Sequence, residues 1–151
     1  MNMNMNTRIA DLLAGVRAPG VYRLRSPAGE PAIADWARRS GWRFFHLDGQ
    51  RIATKSDLLA ACAAAMDFPS TFGQNWDALA DSLRDLSWAP AARGYLVLYD
   101  DADRLAGARP QDLAVALEIF QDAVDFWRAT PTPMTILLRG TGRALRQIPW
   151  L

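Results

Sequence analysis

The sequence predicts an α/β fold in which helices pack on a small, mostly parallel sheet of three strands. Two near-continuous apolar runs, at residues 94–99 and 134–138, are typical of strands that are buried on both faces of a sheet. The aromatic, β-prone run at residues 42–47 supplies the remaining strand. Helical patterns separate these runs, and this alternation favours parallel strands joined by right-handed crossovers.

The main helices are predicted from apolar residues that recur every three or four positions. The first spans about residues 56–67, and the second spans residues 76–86 with Asn75 as its N-cap. The third and longest begins at Pro110, which suits the first turn of a helix, and continues to about residue 130.

The residues before this set are expected to play a secondary part. Residues 1–6 form a polar low-complexity run, which we expect to be disordered. Residues 7–41 show a short helix, a short strand and a second short helix, separated by Gly and Pro, and we interpret them as an accessory segment. Residues 42–151 then form the main domain, which should fold without the segment before it.

The composition indicates a cytoplasmic protein. The chain has a single cysteine, so it can form no internal disulfide, and nothing in it requires an oxidising compartment. It contains neither the apolar core of a signal peptide nor a run of about 18 apolar residues that could span a membrane. We therefore expect no membrane association.

Residues that could carry catalysis or hold a metal are few. The only histidine, His46, lies inside a predicted strand, and no metal-binding motif accompanies it. Cys62 lies on the apolar side of a predicted helix, where a thiol usually packs as a small hydrophobic group. The turn Gly140-Thr141-Gly142 lacks the third glycine of a dinucleotide-binding loop. We predict no catalytic residues, no metal and no cofactor.

Charge is distributed unevenly along the chain. Residues 67–103 contain seven acidic and two basic residues, a net charge of −5, whereas the whole chain carries +1. Asp77, Asp81 and Asp85 lie four residues apart and should follow one face of the second main helix. Like charges at this spacing cost about 0.2–0.5 kcal/mol per pair. The helix dipole at Asp77 and an ion pair between Asp81 and Arg84 are compatible with a solvated face, so a binding face and a solvated face both remain open.

The same segment resembles the barstar family of ribonuclease inhibitors. The most specific match is TFGQNWDALAD at residues 71–81, and the order of strands and helices over residues 43–139 also agrees. The resemblance implies a cytoplasmic inhibitor that blocks the active site of a barnase-like ribonuclease and has no catalytic activity of its own. Its partner would be a basic ribonuclease of the extracellular type, and the free inhibitor would be a monomer.

Motif position implies which residues contact that partner. Asp81 would mimic a phosphate of the substrate RNA, and Asp77 would lie beside it, one helical turn earlier. The full set of implied contact residues is Thr71, Phe72, Gly73, Gln74, Asn75, Asp77, Asp81 and, from a looser alignment, Asp122. Thr71, Gln74 and Ala80 depart from the family pattern, and these departures leave the identity of the target open.

Two other functions remain possible from the sequence. The first is an immunity protein against a different nuclease or toxin, in which the same helix would bind a different basic cleft. The second, of a different class, is a nucleic-acid-binding module that uses the basic N-terminal half, which contains Arg23, Arg25, Arg38, Arg39, Arg43, Arg51 and Lys55. A solvated surface explains these bases more simply, so we do not expect a nucleic acid as partner.

Overall fold

The fold is built on a parallel sheet. A computed structural model describes residues 3–140 and 142–151 of the chain. Its strands are β1 (Val21–Arg23), β2 (Trp42–Asp48), β3 (Gly94–Asp100) and β4 (Met134–Leu138), and their order in the sheet is β1-β4-β3-β2. Its helices are α1 (Met3–Leu13), α2 (Glu30–Arg39), α3 (Lys55–Met66), α4 (Trp76–Leu83), α5 (Asp103–Ala108) and α6 (Pro110–Arg128), with short 3-10 turns at Gly49–Arg51 and Arg143–Leu145.

The predicted α/β fold is confirmed, but the prediction of three strands is wrong. The short strand predicted near residue 21 joins the sheet as β1, where Val21 pairs in parallel with Ile136 and Arg23 pairs with Leu138. This pairing joins residues that lie more than a hundred positions apart. A local sequence pattern carries no information about a partner at that distance, so it predicts an accessory segment here.

Each face of the sheet packs against a different layer of helices. Along β3, Tyr95, Val97 and Tyr99 belong to the core formed with α3, α4, α5 and α6. Leu96 and Leu98 belong to the core formed with α1 and α2. Successive side chains of a strand point to opposite faces, and because both faces are covered here the strand is apolar at almost every position.

The N-terminal segment forms one of these two layers. Ile9 of α1 and Ile33 of α2 are fully buried in the second core. The indole nitrogen of Trp42, at the start of β2, donates a hydrogen bond of 3.0 Å to the carbonyl oxygen of Leu13. α1 begins at Met3, and residues 1–2, the first part of the run expected to be disordered, lie outside the described residues. The domain boundary at residue 42 stays a prediction, but this packing leads us to expect that the main domain requires the N-terminal layer.

Helix α4 is shorter than predicted, because the chain turns after Leu83. Leu86 has a left-handed backbone, with φ of 52°, and its side chain is fully buried. Asp85 therefore lies beyond the helix, and its carboxylate accepts a hydrogen bond of 3.3 Å from the backbone nitrogen of Ser87. The prediction that three aspartates follow one face of this helix is therefore wrong for Asp85. This residue instead has a structural role in the turn.

A polar cluster ties the N-terminal layer to the carboxyl ends of the strands. The His46 ring nitrogen Nε2 lies 2.9 Å from Asp100 Oδ2. Asp100 Oδ1 accepts a hydrogen bond from Arg139 Nε, and Arg139 Nη1 donates one of 2.9 Å to the carbonyl oxygen of Ser26. The hydrogen bond to Asp100 raises the pKa of His46 although burial opposes it. Burial by itself would raise the pKa of the Asp100 carboxyl, but hydrogen bonds from His46 and Arg139 lower this pKa to about 2.

We expect His46→Gln to remove a stabilisation that is present in mild acid and lost in mild alkali. Because the pKa of His46 is higher in the folded than in the unfolded chain, its stabilisation is complete below the unfolded value of about 6.5 and disappears as the pH rises through the folded value. Urea unfolding at about pH 5.5 and about pH 8.5 measures this difference. The loss of stability between the two pH values should be smaller in His46→Gln, and in Asp100→Asn, than in the wild type. An identical loss in all three proteins would contradict the role of this pair.

Candidate protein-binding site

The loop before α4 is held in a defined shape by Asn75, the N-cap residue of the helix. Asn75 Oδ1 accepts a hydrogen bond of 2.7 Å from the backbone nitrogen of Ala78, and Asn75 Nδ2 donates one of 3.4 Å to the carbonyl oxygen of Gly73. Gln74 between them has a left-handed backbone, with φ of 53°, which is uncommon for a residue other than glycine. The predicted N-cap is confirmed, and the loop exposes Thr71, Gly73 and Gln74 to solvent.

Helix α4 is fixed by its buried side. Leu79 and Leu83 are fully buried, and the indole nitrogen of Trp127 on α6 donates a hydrogen bond of 2.7 Å to the carbonyl oxygen of Leu83. Asp77 and Asp81 are exposed on the same helix. A helix that is anchored in this way presents its carboxylates with little loss of freedom when a partner binds.

A shallow groove lies between the loop and the far end of α4. The residues that line it are Pro69, Thr71, Phe72, Gly73, Ala78, Asp81, Ser82, Asp85 and Trp88. The groove thus combines aromatic surface with two carboxylates. Of the residues predicted to contact a partner, it brings together Thr71, Phe72, Gly73 and Asp81.

The other predicted contact residues lie outside the groove lining. Gln74 and Asn75 form the exposed part of the loop, and Asp77 lies in the first turn of α4. Asp122 is exposed on α6, the helix against which α4 packs. Asp77 and Asp122 are therefore exposed carboxylates outside the groove.

Trp88 is a groove residue that the sequence pattern does not predict. Its indole nitrogen donates a hydrogen bond of 2.9 Å to the carbonyl oxygen of Met66, and its ring packs edge-on against Phe68 with centroids 5.9 Å apart. Phe72 packs against the ring of Phe68, with centroids 4.9 Å apart. Trp88 reaches the groove only because the chain turns at Leu86, and no local pattern indicates that turn.

Asp81 already has an intramolecular cation as neighbour. Arg84 Nη2 lies 3.0 Å from Asp81 Oδ1, as the sequence spacing allows. The Asp81 side chain is nevertheless 78% exposed. Exposed ion pairs of this kind contribute at most about 1 kcal/mol, so a cation of a bound partner can replace Arg84 at little cost.

Neither metal binding nor thiol chemistry is indicated elsewhere in the described residues. Across residues 3–140 and 142–151, no group of three or more His, Cys, Asp or Glu side chains is placed to hold a metal ion. Burial raises the pKa of the Cys62 thiol to about 12, so this group is protonated and unreactive at neutral pH. In the same part of the chain, no helix is both long and apolar enough to cross a lipid bilayer.

The fold and the groove define a small α/β domain with a parallel sheet that presents exposed carboxylates beside aromatic surface. The model of a protein family described as Barstar (barnase inhibitor) matches residues 42–139, which is well over half of the chain. The chain belongs to this family, and the resemblance noted over residues 43–139 is confirmed. No curated protein matches the chain.

Solved structures that resemble the chain share its fold at low sequence identity. The ORC2 protein of Aeropyrum pernix matches with a TM-score of 0.58 and 15% identity in its ADPNP-ADP complexes, covering 95% of this chain and 41% of that one. Its ADP form gives a TM-score of 0.58 at 14% identity, with coverages of 97% and 43%. CDC6P from Pyrobaculum aerophilum gives 0.57 at 18% identity, with coverages of 96% and 40%. The chain thus spans less than half the length of these proteins, and the likeness concerns the fold alone.

Proposed function

We propose that this protein is a cytoplasmic inhibitor of a barnase-like ribonuclease and that it blocks the active site with α4 and the loop before it. The observation that supports this best is the exposed Asp81 carboxylate at the groove beside α4 of a barstar-family domain. The inhibitor would act by occupying the site and would itself carry out no chemistry.

The chemistry of such an enzyme explains why carboxylates suit the task. A ribonuclease site holds the phosphates of RNA with Arg, Lys and His, and carboxylates in the same positions form charge-assisted hydrogen bonds with those cations. Asp81 would take the central phosphate position, with Asp77 one turn earlier. Phe72 and Thr71 would pack on the enzyme beside them, while Asp122 would contribute at the periphery.

The remaining loop residues would determine how closely the loop backbone approaches the enzyme. Gly73 has no side chain to hold the enzyme away from the backbone, and Asn75 keeps the loop in the shape described above. Thr71 and Gln74, which depart from the family pattern, are both exposed. The same surface therefore also suits a different nuclease or toxin with a basic cleft, which is the second candidate function.

We expect stoichiometric inhibition of a small basic ribonuclease. In a titration of barnase with this chain, cleavage of a fluorogenic RNA substrate should fall linearly to an end point at one inhibitor per enzyme. Inhibition of other nucleases with no effect on a panel of barnase-like enzymes would favour the second candidate function. Cleavage of RNA by the purified chain alone would contradict both proposals.

We also expect association with the ribonuclease to depend strongly on salt. The net charge of −5 on residues 67–103 should steer a basic partner towards the site, and salt screens such attraction. In stopped-flow measurements the association rate should fall by more than about tenfold between low and high salt, whereas the dissociation rate should change little. An association rate that is independent of salt would indicate a mainly apolar interface.

A further inference from the structure

Two acid-free stretches of the chain meet at the β1 edge of the sheet. Residues 12–29 and 126–151 contain no Asp or Glu, and they hold three and four arginines respectively. β1 pairs with β4, and the backbone of residues 149–151 runs along the other side of β1, where the Arg23 nitrogen donates a hydrogen bond of 2.7 Å to the Pro149 carbonyl. Folding thus concentrates basic residues that are far apart in the sequence.

Among the residues that the structure describes, most of these arginines have no carboxylate partner. Arg128 pairs with Asp125, and Arg139 pairs with Asp100. Within residues 3–140 and 142–151, no ion pair involves Arg17, Arg23, Arg25, Arg143 or Arg146. Positive charge at this edge is therefore left for solvent or for an anionic ligand.

Two arginines pack on one aromatic ring, and two more lie nearby in the fold. The guanidinium carbons of Arg23 and Arg25 lie 4.0 and 4.1 Å from the centroid of the Trp150 ring. Arg17 donates a hydrogen bond of 3.2 Å to the carbonyl oxygen of Trp150, and Arg23 donates one of 3.4 Å to that of Arg146. We call Arg17, Arg23, Arg25, Arg146 and Trp150 the basic edge. Its ring is 37% exposed.

The basic edge has guanidinium donors whose geometry suits an anionic ligand. An aromatic ring holds a guanidinium group by its flat face, which leaves the N–H donors at the rim of the group free for bidentate hydrogen bonds. Arg25 is exposed and donates no hydrogen bond to another described residue, so its donors are available. Arg23 is fixed by a hydrogen bond of 2.7 Å to the carbonyl oxygen of Ile148.

We propose that the basic edge binds single-stranded RNA. The outer planes of the stacked guanidinium groups offer flat surfaces on which bases stack, while the neighbouring arginines hold the phosphates. An acidic protein would complement the positive charge of this surface, but it has no bases to stack on the guanidinium planes. The sequence alone does not predict a nucleic acid as partner, because it does not show that Arg146 and Trp150 lie beside Arg23 and Arg25. None of these residues lines the groove at Asp81, so the proposal is independent of the inhibitor function.

The proposal can be tested with the full chain and a labelled, cleavage-resistant RNA. Fluorescence anisotropy of a 2′-O-methyl oligouridine of about 12 nucleotides should give a Kd of about 1–100 μM that weakens steeply with salt. Arg25→Ala/Arg146→Ala should weaken binding by at least about tenfold and reduce the salt slope by about 1.4, since each phosphate contact contributes about 0.7. Both side chains are exposed, so folding should be unaffected.

A matched control removes the same charge elsewhere. Arg38→Ala/Arg39→Ala alters two exposed arginines of α2, and it should change the affinity for RNA by less than about threefold. Equal weakening by both double variants, or no binding of RNA at low salt, would overturn the proposal. A third result would also overturn the proposal. In that case the chain would bind no RNA but self-associate in a salt-sensitive way, and both Arg25→Ala/Arg146→Ala and Asp81→Ala would abolish this self-association. Asp81→Ala should leave RNA binding unchanged, so failure of one function is distinguishable from failure of the other.

Discussion

Asp81→Ala is expected to weaken binding to a barnase-like ribonuclease by roughly 30-fold to several thousand-fold. Removing one carboxylate from a buried, hydrogen-bonded charge pair costs about 2–5 kcal/mol, since the enzyme's cations are then buried without a partner. Isothermal titration or competition kinetics with barnase would measure the change. Binding within about threefold of the wild type would show that Asp81 is not a phosphate mimic.

The same substitution should hardly affect folding. The Asp81 side chain is 78% exposed, and its ion pair with Arg84 is screened by solvent. Alanine is also the better helix former, so the free energy of unfolding should change by no more than about 0.5 kcal/mol. Urea unfolding of wild type and variant checks this.

The best control is an aspartate in similar surroundings on the opposite layer. Asp35 of α2 is exposed and pairs with Arg39 at 2.8 Å, so Asp35→Ala removes the same charge and a comparable ion pair. It should leave binding of the ribonuclease unchanged. Asp85→Ala is a poorer control, because Asp85 lines the groove and also stabilises the turn at Ser87. If Asp35→Ala weakens binding as much as Asp81→Ala does, the affinity depends on the net charge of the chain and not on the position of Asp81.

Deletion of residues 1–41 is expected to abolish cooperative folding of the remaining chain. The deletion removes β1 and uncovers one face of the sheet, where Leu96, Leu98 and Leu137 are fully buried. Exposing three leucines costs about 5–9 kcal/mol at 1.5–3 kcal/mol each, which is comparable to the whole stability of a domain. A parallel sheet with one bare face is rarely stable. Circular dichroism during urea unfolding of residues 42–151 measures the outcome, and a sharp unfolding transition would show that the N-terminal segment is accessory after all.

A milder pair of variants keeps this prediction testable if the fragment cannot be purified. Ile33 of α2 and Leu113 of α6 are both fully buried, one in each core. If the N-terminal layer belongs to the folding unit, Ile33→Ala and Leu113→Ala should each destabilise the full chain by about 2–5 kcal/mol in a single transition. A separable layer would instead unfold in its own transition, and Ile33→Ala would leave the main one unchanged.

The central elements of the fold could be predicted from local sequence alone. Strands β2, β3 and β4 follow from their apolar or aromatic runs, and helices α3 and α6 follow from a period of three to four residues. The cap at Asn75 was predictable for the same reason, because a cap depends on residues within one helical turn. The acidic residues of the candidate site also follow from the sequence, since their spacing and the surrounding motif are local.

Long-range packing determines the remaining features. β1 joins the sheet because Val21 meets Ile136, and helix α4 ends early because the side chain of Leu86 turns into the core. That turn brings Trp88 into the groove, and the strand pairing brings Trp150 to Arg23. In each case the outcome depends on which distant surface a segment can bury, and the free energy of that contact is absent from any short window of the sequence.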